Sequence, residues 1–121
     1  MTNKELELKL KNYRFNKCKI QNINLDIEEL QEQLLELQQQ DEILLIQIQR
    51  LNDLKRELTL EINRINSALA TLSDREKLLI ELRYFKRLSW NEISNELHLS
   101  LNHLCNRIRP NALKNLSNCL N

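Results

Sequence analysis

Glycine is absent from this chain of 121 residues, and proline occurs once, at Pro110. Turns that need a flexible backbone, glycine-rich phosphate loops and tight hairpins between strands therefore have no residues to build them. Aromatics are confined to Tyr13, Phe15, Tyr84, Phe85 and Trp90, too few for a large compact core. The three cysteines, Cys18, Cys105 and Cys119, are odd in number and lack a CxxC spacing, so free thiols are expected rather than a disulfide framework. No apolar run is long enough to span a membrane, and no signal-peptide succession opens the chain, so a cytoplasmic protein is expected.

What is abundant is Leu, Ile, Gln, Glu, Asn and Lys, the composition of long helices. The net charge of +1 hides a pattern: residues 1–19 carry +4, residues 20–72 carry −6 and residues 73–121 carry +3. The last acid is Glu96, which leaves Arg107, Arg109 and Lys114 uncompensated in sequence.

With Ile20 as position a, the a positions are Ile20, Ile27, Leu34, Asp41, Ile48, Lys55, Ile62 and Leu69. The d positions are Ile23, Leu30, Leu37, Leu44, Leu51, Leu58, Ile65 and Leu72. Fourteen of these sixteen are apolar without a change of phase, which predicts a coiled-coil helix. Unbroken, the segment would be roughly 80 Å long. Ile at a with Leu at d favours a parallel dimer, whereas an antiparallel pairing would relieve the polar a positions Asp41 and Lys55, expected to select register. A helical hairpin turning at Gln38 to Asp41 is the rival. No Gly, Pro or Ser marks a turn there, so the sequence favours continuity. Ile43, Leu45 and Ile46 lie off the seam and widen the apolar surface. Thr2 and Glu5 form a capping box for a helix that keeps the same phase through Leu6, Leu10, Tyr13 and Ile20.

Three short helices come next. Ser73 with Glu76 opens one with Leu78, Leu79, Leu82 and Phe85 on its apolar face. Ser89 with Glu92 opens a second that buries Trp90, Ile93 and Leu97, and Ser100 caps a third with Leu101, Leu104, Cys105 and Ile108 inside. Only His98, Leu99 and Ser100 join the last two, with Ser94 small where they would cross, the spacing of a helix-turn-helix. Pro110 lacks an N–H, would clash with the Asn106 carbonyl, and disfavours the α region for Arg109. The third helix is therefore expected to end or kink near Ile108, and a new one to pack Ala112, Leu113, Leu116 and Leu120.

The segment "LSDREKLLIELRYFKRLSWNEISNELHLSLNHL" resembles sigma-70 region 4. The matching residues are Leu72, Arg75, Glu76, Leu82, Arg83, Tyr84, Phe85, Leu88, Ser89, Trp90, Glu92, Ile93, Leu97, Leu99 and Ser100. A long helical part followed by one such module resembles phage-encoded transcription regulators of the ArpU type. No stretch reads as the aromatic-rich region that melts a promoter, so a complete sigma factor is not expected. Three departures from the family pattern involve four positions: His98 stands for the usual turn glycine, Leu101 and Cys105 replace charged DNA-contacting residues, and Pro110 interrupts the last helix.

The expected protein is all-α, with a coiled-coil dimerisation segment over 1–72 and a helix-turn-helix over 73–121. It is expected to regulate transcription by binding double-stranded DNA. Asn102, His103, Asn106 and Arg107 would read bases, with Ser100, Arg109 and Lys114 on phosphates. An adaptor that binds RNA polymerase, which the resemblance also implies as a partner, is the alternative. His98, His103 and Cys105 lack zinc-ligand spacing, no catalytic set can be assembled, and neither a cofactor nor an enzymatic activity is expected.

Overall fold

The computed structural model describes residues 1–38 and 41–120. All regular elements among them are helical: α1 Asn3–Glu36, α2 Glu42–Leu69, α3 Asp74–Ile80, a π turn Glu81–Phe85, α4 Trp90–Leu97, α5 Leu101–His103, a second π turn Leu104–Ile108, and α6 Arg109–Leu120. The all-α class holds. No helix among the described residues is long and apolar enough to cross a membrane.

The single unbroken helix does not form; the long segment is a hairpin of α1 and α2. Gln38 takes a left-handed conformation (φ 57°) and donates its backbone N–H to the Leu35 carbonyl, ending α1. Asp41 then opens α2 as its cap, its Oδ1 accepting from the backbone N–H groups of Ile43 (2.9 Å) and Leu44 (3.2 Å). That satisfies amides that have no carbonyl partner at a helix start. Asp41 is thus a helix start signal rather than a register selector in a seam. Gln39 and Gln40, inside the expected turn, lie outside the described residues.

Two compact units make up the chain, Met1–Arg14 with Asn63–Asn121, and Phe15–Ile62.

Within Phe15–Ile62 the heptad positions face inward. Ile23, Ile27, Leu34 and Ile62 are buried, and Ile20, Leu30, Leu44, Ile48, Leu51, Lys55 and Leu58 are half-buried; Leu37, at the turn, is exposed. The buried Asn16 amide donates to Glu61 across the arms (3.0 Å), which fixes their antiparallel sense. The seam is as the heptads predict, but the second helix that covers it comes from the same chain. Off the seam, Leu35, Ile43 (68% exposed), Leu45 and Ile46 remain uncovered.

The other unit is a helical bundle with an unexpected member. The first turns of α1 belong to it: Leu6 and Leu10 are fully buried, and Tyr13 stacks on Phe85 with ring centroids 4.5 Å apart. The Tyr13 hydroxyl also donates to Asn66 Oδ1 (2.5 Å), so the two arms meet here as well. Ile65, Ala68, Leu69, Leu79, Ile80, Leu82, Tyr84, Ile93, Leu104, Ile108, Ala112, Leu113 and Leu116 complete the core, so the seam positions Ile65 and Leu69 are buried here rather than in a dimer interface. Ile80 takes the place expected for Leu78, which is exposed. The π turn after α3 adds a residue to the hydrogen-bonded ring, Lys86 N–H reaching the Glu81 carbonyl (2.9 Å), and from there on Tyr84 is buried while Phe85, expected inside, is half-buried.

Pro110 does not stop the helix. Arg109 stays in the α region (φ −58°, ψ −52°), and helical backbone runs on from the second π turn into α6. The physical reason is the π turn. The Arg109 N–H bonds back to Leu104, five residues earlier, and the widened ring leaves room for the proline in the first turn of α6, where an N–H is not required.

Because Leu10 is a core residue of the bundle, Leu10→Ala should destabilise it by about 2–5 kcal/mol. Urea unfolding followed by circular dichroism checks this; an unchanged midpoint would show that the N-terminal turns are ornamental.

Candidate nucleic-acid interface

The two helices of the helix-turn-helix are set by caps that the sequence announces. Ser89 and Glu92 form a reciprocal capping box at α4, each side chain bonding the other's backbone N–H (3.2 and 3.4 Å). Ser100 caps α5 by accepting from His103 N–H (3.1 Å). Ser73 caps α3 through Glu76 N–H (3.3 Å), but the Glu76 carboxylate accepts from Asn115 on α6 (3.0 Å). That bond ties α3 to α6 instead of closing a box.

The three-residue turn forms as expected. His98 sits in the left-handed region (φ 55°, ψ 39°), its N–H bonded to the Ser94 carbonyl. Ser94 is more than small: its hydroxyl donates to the Leu99 carbonyl, while Leu99 N–H returns to the Ser94 carbonyl (3.2 Å). Three bonds thus hold the joint that aims the next helix.

On that helix Leu104 and Ile108 are buried and anchor the inner side. Asn102, Asn106 and Arg107 are exposed, and His103 is half-buried beside them. The Asn106 amide donates to the Asn102 carbonyl one turn earlier, leaving an amide donor on Asn102 and a carbonyl acceptor on Asn106. Leu101, 41% exposed, and the half-buried Cys105 border this face. Ser100 is exposed but its oxygen already serves the cap, and Lys114 is exposed on α6.

Arg109 is placed differently from a free phosphate ligand. Its Nη2 forms a salt bridge with Glu7 Oε1 of α1 at 2.6 Å, and its guanidinium lies 5.7 Å from the centre of the Trp90 ring. Arg83 occupies the same ring at 4.6 Å while donating to the Leu88 carbonyl (3.0 Å). Burial works against the Arg109 charge, but the adjoining Tyr84 hydroxyl and Glu7 carboxylate more than offset it, so its pKa is raised. Tyr84 is pushed up chiefly by burial, against the pull of Arg109. Sequence reasoning missed Glu7, whose partner lies 102 residues away and leaves no local signal.

Comparison with curated proteins and with solved structures gives no match. Residues 68–118 match the family described as Sigma-70, region 4, a span from the last turn of α2 to α6 that contains every element of the joint and the helix that follows it. This part of the chain is a sigma-70 region 4-like helix-turn-helix, a module of DNA-binding type.

Proposed function

We propose that the chain is a sequence-specific, double-stranded DNA-binding transcription regulator of the phage or prophage type. One observation carries the reading. The helix opened by Ser100 presents Asn102, Asn106 and Arg107 outward, while Leu104 and Ile108 fix its roll. Asn and Arg at such positions discriminate bases by roughly 1–3 kcal/mol for each good contact. Lys114 and the backbone around Ser100 add phosphate contacts at the rim, while Arg109 acts by holding Trp90 and α1 in place.

Anisotropy titration of the full chain against a duplex selected from a random pool tests this. Affinity should fall steeply with salt. The paired change Asn106→Ala and Arg107→Ala should reduce the preference for the selected site by about tenfold or more. A preference untouched by both changes would refute base reading by this face.

The turn generates a second expectation. A non-glycine residue in the left-handed region costs roughly 1–2 kcal/mol, of which glycine recovers part. His98→Gly should therefore leave the denaturation midpoint equal or higher, and His98→Val should lower it. The opposite order would mean that His98 makes a contact worth more than its backbone strain.

The regulator is proposed to act as a homodimer. Since the hairpin takes up its own seam, pairing of two chains through Ile27, Leu34, Ile62 and their neighbours requires the arms to part, whereas Ile43, Leu45 and Ile46 are open to a partner as they stand. Sedimentation of the full chain, with Ile43→Lys and Ile46→Lys alongside, separates the two routes: only the outer route is abolished by the lysines. The same outer residues favour the second reading, an adaptor to RNA polymerase. A polymerase pull-down that survives nuclease, with no duplex binding, would support the adaptor over the DNA reader.

A further inference from the structure

The basic N-terminal turns of α1 are not a remote tail but part of the bundle that carries the reading helix. Their roll is fixed from two sides. Leu6 and Leu10 are fully buried and Tyr13 stacks on Phe85, while Glu7 grips Arg109, two residues beyond Arg107. A helix held at both points cannot turn about its axis. Lys4 and Lys11 stand three residues before and four residues after Glu7, so they share its face and flank the Arg109 contact. Both are exposed, and neither has an ion-pair partner among the described residues. Arg14, next on the same face, donates to the Phe85 carbonyl (3.2 Å) and carries the positive edge on to the loop before α4.

We propose that Lys4 and Lys11 form a phosphate clamp on double-stranded DNA beside the end of the reading helix, extending the interface beyond the region 4-like module to α1. The inference rests on the proposed DNA-binding function. Contacts of this kind fix position on the duplex without reading sequence, and each neutralised phosphate releases counterions. The one acid on this face, Glu7, is neutralised by Arg109, which leaves the lysines as its net charge.

The test is the salt dependence of binding by the full chain to a mixed-sequence duplex of about 30 base pairs, roughly three helical turns. Lys4→Gln with Lys11→Gln should lower the slope of log affinity against log salt by about two, close to 0.9 per lost contact. Lys9→Gln is the control. Lys9 is also exposed but lies two residues from Glu7, about 200° round the helix, and its loss should leave the slope in place. Circular dichroism verifies that the variants fold. An unaltered slope in the double variant, or an equal drop for Lys9→Gln, overturns the clamp while leaving the proposed function intact. If the unaltered chain binds no duplex, the proposed function fails and the clamp fails with it.

Discussion

An apolar stripe that recurs every three and four residues over nearly eight heptads has to be covered, and this chain covers it with itself. Most of the remaining architecture depends on that closure. Because the arms run antiparallel, Tyr13 meets Asn66 and Asn16 meets Glu61, and the first residues of the chain come level with the start of the C-terminal bundle. The bundle then recruits them. Leu6 and Leu10 fill its core, Tyr13 stacks on Phe85, and Glu7 reaches Arg109. A region 4-like module of about fifty residues buries only a modest fraction of its surface alone, and an added helix supplies the missing apolar contacts.

The lack of glycine shapes how helices end. Among the described residues three occupy the left-handed region, Gln38, Arg87 and His98, and each sits just past a helical segment where glycine is the usual choice. Each therefore holds backbone strain of roughly 1–2 kcal/mol that surrounding bonds must offset. At His98 those bonds are visible: the Ser94 carbonyl accepts from two backbone N–H groups and the Ser94 hydroxyl holds Leu99. The joint of the helix-turn-helix is thus held by side chain and backbone together, not left to an adaptable residue.

What was legible in the sequence is what is encoded locally. Ser89, Ser100 and Thr2 announce helix starts because a cap needs only a side chain and an amide three residues on. The seam was legible because periodicity survives whichever helix covers it, and the region 4 resemblance because its residues are contiguous. The hairpin turn was not, since Gln38 carries no turn preference and Asp41 sat in heptad phase, where it read as a polar a position. Neither π turn has a residue signature. Pro110 signalled an obstacle correctly, but the backbone absorbed it by widening one ring instead of ending the helix. The ion pair of Arg109 was not legible, because the carboxylate that holds it lies at the other end of the chain.

The position of Arg109 links the N-terminal turns to the second helix of the helix-turn-helix. Placed between the Glu7 carboxylate, the Tyr84 hydroxyl and the Trp90 ring, it joins α1 to the start of α4 and the end of the second π turn. A charge held in this way by several partners is costly to leave unpaired, so α1 cannot drift from the bundle without stranding a partly buried guanidinium. On the same side of α1 as the Glu7–Arg109 pair, Lys4 and Lys11 are exposed and have no ion-pair partner among the described residues. Shape and charge therefore come from different residues here. Arg109 ties the helix that follows Ser100 to α1, and the exposed lysines of α1 stand on the same face as that tie.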